Sequence, residues 1–249
     1  MDHEHALPGG NASGPVVRVG DTVRKRWTAA TPAVHAFMSH VRDHGVDVPS
    51  SLGQDDDGRQ VIEYIPGRLA IDAPPLSRGD LHRVGATVRT IHNASASFAA
   101  PPDARWETAI TAPGDEIVCH NDLAPWNLII GQRRVFIDWD AAAPSTRLWD
   151  LAYAAQAFAL SDVDAPVDRA AGELRAFVDG YSADLALREQ LPSAMQRRSE
   201  AMLELLTTAH RERREPWASM FSDGHGSHWT AVVDHVHAHQ ARWLDALTR

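Results

Sequence analysis

Apolar positions follow a strand-like rhythm in the first quarter of the chain and a helical rhythm over most of the rest. Val16-Val17-Arg18-Val19 and Thr22-Val23-Arg24-Lys25-Arg26 are β-rich runs on either side of Gly20-Asp21. That pattern predicts a two-residue hairpin with glycine at the first turn position. After Thr31-Pro32, the residues Val34, Phe37, Met38 and Val41 recur at helical spacing and Gly45 closes the segment, so a helix is expected with proline in its first turn. Val61-Ile62-Glu63-Tyr64-Ile65 reads as a strand running into the breaker Pro66-Gly67, with the charged turn Asp55-Asp56-Asp57-Gly58 ahead of it. Leu81, Val84, Val88 and Ile91 predict an amphipathic helix over about 77–92, capped by Ser77 with Asp80 as capping-box partner.

Four further helical segments follow, from about Trp149 and over Ala165–Tyr181, Met195–Arg211 and His228–Leu247. The last carries Trp229, Val232, Val233, Val236, Trp243, Leu244 and Leu247 on one stripe. Between the two regimes lies Val118-Cys119-His120-Asn121-Asp122-Leu123-Ala124-Pro125-Trp126-Asn127-Leu128-Ile129-Ile130, then Phe136-Ile137-Asp138-Trp139-Asp140. Two apolar runs separated by the hairpin-sized gap Gly131 to Arg134 are expected to pair antiparallel. Strands first and helices afterwards imply an α+β fold.

A chain of 249 residues is one large domain or two lobes sharing a cleft. The formal charge of −9 argues against a nucleic-acid binder, which would show a basic stripe. One cysteine, Cys119, rules out an internal disulfide, and its apolar setting reads as a small buried hydrophobe. No secretory signal is visible, and the best apolar run, Leu151–Leu160, is about half a membrane span. A cytoplasmic protein without membrane partners is expected.

The chemistry sits in the central stretch. Pairing the two runs brings Asn127 and Asp138 together with Asp122 nearby. An amide oxygen and a carboxylate suit a hard cation such as magnesium, and Asp122 is left as a base. The spacing His120-x-Asp122-x-x-x-x-Asn127, the Ile137-Asp138-Trp139 context and the trailing Asp150-Leu151-Ala152 resemble the aminoglycoside phosphotransferase and choline kinase branch of the protein-kinase-like superfamily. The protein-kinase form usually has arginine where this loop has Asn121.

The resemblance implies a two-lobed protein-kinase-like fold, with a small β-rich nucleotide-binding lobe (residues 1–66) and a larger, mainly helical catalytic and acceptor-binding lobe (67–249). It implies a small-molecule O-phosphotransferase moving the γ-phosphate of ATP or GTP to an acceptor hydroxyl. Asp122 would orient and deprotonate that hydroxyl. An Asp of ordinary pKa is a weak base, which suffices where a loose transition state depends mainly on positioning. Asn127 and Asp138 would hold Mg2+, and Asp140 would be a further ligand or lie just behind the ligands. His120 and Asp150 would organise the loop, Asp150 as an N-terminal helix cap. Lys25, which shares a strand face with Val23, would be the phosphate lysine, the alternative being a solvated basic strand. Main-chain groups from Glu63 to Ile65 would pair with the purine. Gly9, Gly10 and Gly14 stand where a glycine turn covers the nucleotide, but without the full spacing.

The helix after the lysine strand normally supplies a glutamate to pair with that lysine. Here no acid precedes Asp43, and His35 stands near the place. Acceptor residues would come from the C-terminal helices, with Asp162, Asp164 and Asp179 as unranked candidates. An antibiotic kinase competes with a metabolic kinase of the choline or homoserine type. A catalytically silent nucleotide-binding module is the rival from another class. His235 and His239 have metal-compatible i, i+4 spacing and lie with His228 on one helix flank, which reads as a solvated flank. A monomer or a homodimer is compatible with all of this.

Overall fold

A computed structural model describes residues 3–7 and 14–249. Gly9 and Gly10 of the glycine segment lie outside the described residues. Strands β1 (His5–Ala6), β2 (Val17–Val19) and β3 (Thr22–Lys25) precede helix α1 (Thr31–Asp43), and β4 (Ser51–Gln54) and β5 (Gln60–Glu63) follow it. The five strands form an antiparallel sheet in the order β1-β2-β3-β5-β4. Val19 pairs with Thr22 across Gly20-Asp21, with Gly20 at φ +58°, a left-handed value that glycine tolerates. Lys25 ends β3 directly opposite Gln60.

The α1 stripe is realised, with Val34, Phe37, Met38 and Val41 buried. The Phe37 ring meets Trp139 at 5.8 Å and Phe98 at 5.2 Å between centroids, so α1 rests on the part of the chain that carries Asp138. The Pro66-Gly67 step packs equally closely. A Cβ on Gly67 would lie 2.5 Å from the Ile129 side chain, and one on Gly131 would lie 2.6 Å from the Pro66 carbonyl.

The remainder is mostly helical. β6 (Arg68–Leu69) and α2 (Arg78–Ser95) lead to β7 (Ile117–Cys119), then the hairpin β8 (Leu128–Ile130) and β9 (Arg134–Phe136), and β10 (Ala143–Ser145), which pairs with β7. Helices α3 (Arg147–Ala159), α4 (Val167–Tyr181), α5 (Leu185–Glu212), α6 (Trp217–Met220), α7 (Gly226–Ala238) and α8 (Gln240–Thr248) complete it. The capping box forms: the Asp80 N–H donates to Ser77 Oγ at 3.1 Å and the Ser77 N–H to the Asp80 carboxylate at 3.2 Å. Among the described residues no helix is long and apolar enough to cross a membrane.

Two helical expectations needed correction. α5 begins at Leu185 and runs through Pro192, because Leu191, Ala194 and Met195 are fully buried around the proline and that packing outweighs the lost hydrogen bond. The final segment is two helices broken at His239. The break turns Leu244 outward, 40% exposed, while Trp229, Val232, Val236, Trp243 and Leu247 stay in the core.

Helices α2 and α4 cross on paired glycines. A Cβ on Gly85 would lie 2.0 Å from the Phe177 carbonyl oxygen, and one on Gly180 would lie 1.9 Å from that of His82. Both neighbours are helix backbone and cannot yield locally. Gly85→Ala is therefore expected to destabilise the fold by at least about 1–3 kcal/mol, read as a lower urea midpoint with an unchanged slope.

Candidate functional site

The His120–Asn127 loop runs from β7 to β8 and is suspended at several points. His120 is fully buried. Its Nε2 lies 3.1 Å from the Ile137 carbonyl, and its Nδ1 accepts the Asp122 N–H at 3.3 Å. Nδ1 as acceptor makes Nε2 the donor, which fixes a neutral tautomer. Burial also lowers the imidazole pKa, outweighing the nearby carboxylates. The ring thus ties the loop to the chain just before Asp138.

Asn121 adopts φ +63°, uncommon for a non-glycine residue. Its N–H donates to Asp150 Oδ1 at 2.8 Å, and its side-chain amide reaches the Ala141 and Ala143 carbonyls, each at 3.2 Å. Asp150 Oδ2 meets His92 Nε2 at 2.9 Å, and His92 Nδ1 meets the Tyr181 hydroxyl at 2.8 Å. Asp150 and His92 are wholly buried. The Asp150 carboxylate therefore faces the loop and does not cap its own helix; Thr146 does, accepting the Trp149 N–H. Cys119 lies beside this pair, and burial pushes its thiol pKa up, which leaves it inert.

Asp122 is partly buried and both its oxygens are engaged. Oδ1 accepts the Tyr153 hydroxyl at 3.0 Å, and Oδ2 accepts the Asn127 amide N–H at 2.7 Å. Desolvation raises its pKa, with the His120 ring acting the other way. Burial, and then the Asp122 charge, push the Tyr153 phenol well above its usual range, so it stays a hydroxyl donor.

Asn127 also donates to the Asp122 carbonyl at 3.0 Å. With its nitrogen committed, its Oδ1 is left as an oxygen donor for a cation. The β8–β9 pairing sets Asn127 next to Asp138, since the Ile137 N–H donates to the Asn127 carbonyl at 2.8 Å.

The strand ends at Phe136. Asp138 then takes φ +60°, and a 3-10 turn over Trp139–Ala141 follows. This turn, and not a continuing strand, aims Asp138 and Asp140 the same way. Lys25 Nζ lies 2.8 Å from Asp138 Oδ1 and 2.8 Å from Asp140 Oδ2. Lys25 is 5% exposed. Burial alone would lower its pKa, but the two carboxylates outweigh it and hold the ammonium charged. The Lys25 charge in turn lowers the Asp138 pKa, against desolvation.

At the connection between sheet and helices, the Glu63 N–H donates to the Ser50 carbonyl at 2.8 Å and the Tyr64 N–H to that of Asp21 at 2.9 Å. The Glu63 carboxylate takes the Ser50 N–H and the Arg133 guanidinium. Ile65 packs on Ile129 and Val135, and its N–H makes no backbone hydrogen bond among the described residues. Asp162 and Asp179 are engaged in ion pairs with Arg169 and Arg188. His235 packs on Trp243 at 5.5 Å.

Several residues at the site carried no sequence signal of their own. Tyr153 and His92 sit at unremarkable places on helical stripes. Arg198 of α5 is 5% exposed, lies 4.2 Å over the Tyr153 ring and donates weakly to the Asn121 carbonyl at 3.4 Å. One signal was available for Lys25: it is the only lysine in a chain that otherwise uses arginine.

Removing the Asp150 carboxylate would leave His92 Nε2 and the Asn121 N–H without their partners, each orphaned donor costing about 1–3 kcal/mol. Asp150→Ala is expected to lower the Tm and to speed hydrogen exchange of the 119–123 amides, read by mass spectrometry.

A sequence model of the phosphotransferase enzyme family matches residues 102–191. A trifolitoxin immunity protein from Rhizobium leguminosarum bv. trifolii is 28% identical over 197 residues, covering 73% of this chain and 75% of its own. Among solved structures, an amicoumacin kinase complex superposes with TM-score 0.70 at 14% identity, covering 93% of this chain and 88% of that one. A spectinomycin phosphotransferase complex gives 0.66 at 13% identity, covering 97% and 94%. A choline/ethanolamine kinase family protein from Mesorhizobium loti gives 0.62 at 16%, covering 100% and 93%. The chain has the protein-kinase-like fold of these kinases along nearly its whole length, and across its His120–Asn127 loop and Asp138 turn it matches the phosphotransferase enzyme family.

Proposed function

We propose that the protein is a small-molecule O-phosphotransferase that moves the γ-phosphoryl group of ATP or GTP to an acceptor hydroxyl. The observation that carries this is the convergence of two pairs, Asp122 with Asn127 at 2.7 Å and Lys25 with Asp138 at 2.8 Å, joined by the Ile137 N–H donating to the Asn127 carbonyl at 2.8 Å. The intact set favours an active enzyme over a silent binding module.

Asp122 accepts and orients the acceptor hydroxyl and takes its proton as transfer proceeds; the Tyr153 and Asn127 donors hold the carboxylate in place. Lys25 supplies the cation for the donor phosphates. The free Ile65 N–H and the Glu63 main chain give the purine its edge contacts, and the lobes meet at Pro66-Gly67, with residues 1–66 on the nucleotide side. The oxygen donors of Asn127 and Asp138 fit magnesium, a hard cation. When bound, it neutralises charge on the phosphate oxygens.

The acceptor we propose is a hydroxyl-bearing toxic natural product, ahead of choline or homoserine. The support is the sequence match to a protein named for immunity to trifolitoxin, together with solved kinases named for amicoumacin and spectinomycin.

The test is a transfer screen with ATP and GTP against aminoglycosides, spectinomycin, amicoumacin, hydroxyl-bearing peptide antibiotics, choline, aminopropanol and homoserine, read as gain of one phosphate by mass. Asp122→Asn is expected to retain Mg-nucleotide binding and to lose transfer by about 10²-fold or more. Turnover at the wild-type level in that variant would remove Asp122 from the mechanism. Asp138→Ala is expected to abolish the magnesium-linked part of nucleotide affinity measured by calorimetry. Because Lys25 is the sole lysine, an acyl-phosphate ATP probe should add one acyl group at Lys25, and free ATP should block it. An unlabelled Lys25 together with no measurable nucleotide binding would sink the kinase reading.

A further inference from the structure

The helix that follows the lysine strand has no acid to offer. α1 contains neither Glu nor Asp before its final residue, Asp43. A buried ammonium nonetheless needs a fixed partner, because taking it out of water costs several kcal/mol. Lys25 has two, Asp138 and Asp140, both at 2.8 Å. They are not equivalent. On the phosphotransferase reading Asp138 is shared with the metal, so its carboxylate cannot be reserved for the lysine. Asp140 can be.

Asp140 is itself held. Its Oδ1 accepts from Gln60 Nε2 at 3.3 Å while its Oδ2 takes the lysine. Gln60 is 1% exposed and stands opposite Lys25 in the β3–β5 pairing. Its second amide hydrogen goes to the Arg26 carbonyl at 2.9 Å, and its Oε1 lies 3.1 Å from His35 Nε2. Every polar group of the amide is used. The opposite flip would set its oxygen against a carbonyl and a carboxylate, so the order of donors is fixed: His35 to Gln60, Gln60 to Asp140, Lys25 to Asp140. His35 lies on α1, where the missing glutamate would stand, and the charges of Asp140 and Lys25 both act on its ring.

We infer that Asp140, oriented by Gln60 and through it by His35 of α1, is the positioning residue that holds Lys25 on the donor phosphates. A two-step hydrogen-bonded relay replaces the helix-borne acid and ties α1 to the lysine without an ion pair on the helix. This rests on the phosphotransferase reading and adds to it a role for three residues that the metal and the base do not use.

The sole lysine supplies the readout. Protein labelled with 15N-lysine gives one side-chain ammonium resonance, visible only while the group is shielded from solvent exchange. With saturating magnesium and ADP, the wild type is expected to show this resonance and Asp140→Asn to lose it. Asp140→Asn should bind Mg-ADP within about threefold of wild type, with an unchanged magnesium half-saturation. Its kcat, for the acceptor found in the screen or for water, should fall by about 10²-fold. Placing the acid back on the helix, as His35→Glu in the Asp140→Asn background, should restore the resonance and at least tenfold of the lost kcat; His35→Gln should restore neither. A folded Asp140→Asn with the wild-type resonance and kcat would overturn the inference. Recovery of its kcat by excess magnesium would also overturn it, assigning Asp140 to the metal. So would an Asp140→Asn/His35→Glu protein that folds, binds Mg-ADP and recovers nothing. Failure of the wild type to bind Mg-ADP would instead defeat the kinase reading itself, so the two failures are distinguishable.

Discussion

The ammonium of Lys25 sits between two carboxylates contributed by a turn more than a hundred residues away along the chain, and much of the site's geometry depends on that contact. It joins the sheet that carries the lysine to the helical part that carries the His120–Asn127 loop. A lone buried cation would be costly, and two unpaired carboxylates at one spot would repel each other. Together they stabilise one arrangement of sheet against turn. Phe37 on Trp139 adds an apolar contact at the same junction, so α1, β3 and the Asp138–Asp140 turn are fastened together there.

The loop itself is held by buried groups set behind Asp122 and Asn127. His120 bridges it to the Ile137 carbonyl, Asp150 takes the Asn121 N–H, and His92 and Tyr181 extend that network into α2 and α4. Asn121 and Asp138 both occupy left-handed backbone conformations. Such conformations cost of order 1 kcal/mol or more apiece in non-glycine residues and persist only when surrounding contacts determine them. The contacts are present in both cases, and both residues flank the place where Asp122, Asn127 and Asp138 meet. On the phosphotransferase reading this matters, because phosphoryl transfer relies on positioning more than on covalent chemistry from the protein.

The two-lobed order of strands and helices, the β8–β9 hairpin and the capping box of α2 were legible because each is encoded locally: spacing, turn residues and caps within a few positions. The spacing of His120, Asp122, Asn127 and Asp138 stood out for the same reason, as a compact motif. What sequence reading missed is what depends on distant pairing. Asp140 read as a further metal ligand or a group just behind the ligands, and only the fold reveals Lys25 and Gln60 as its neighbours. Asp150 looked like a helix cap because it falls in the first turn of α3, yet Thr146 already fills that place and the carboxylate turns to the loop. Pro192 hid the start of α5, and the break at His239 moved Leu244 out of the stripe. In each case tertiary contacts outweighed a local preference.

The same division separates what short segments encode from what packing builds. Lys25, Asn127 and Asp138 come from short segments, β3 and the loops around β8 and β9. Beside Asp122 stands Tyr153 of α3, with Arg198 of α5 over its ring at 4.2 Å and Trp229 of α7 stacked with it at 6.3 Å. These helices meet only through packing, and each contributes one side chain at an ordinary stripe position. Substitutions on α5 and α7 can therefore reshape the surroundings of Asp122 while Lys25, Asn127 and Asp138 stay in place. A fold built this way can keep that cluster fixed and vary what stands beside Asp122 through residues that no short motif records.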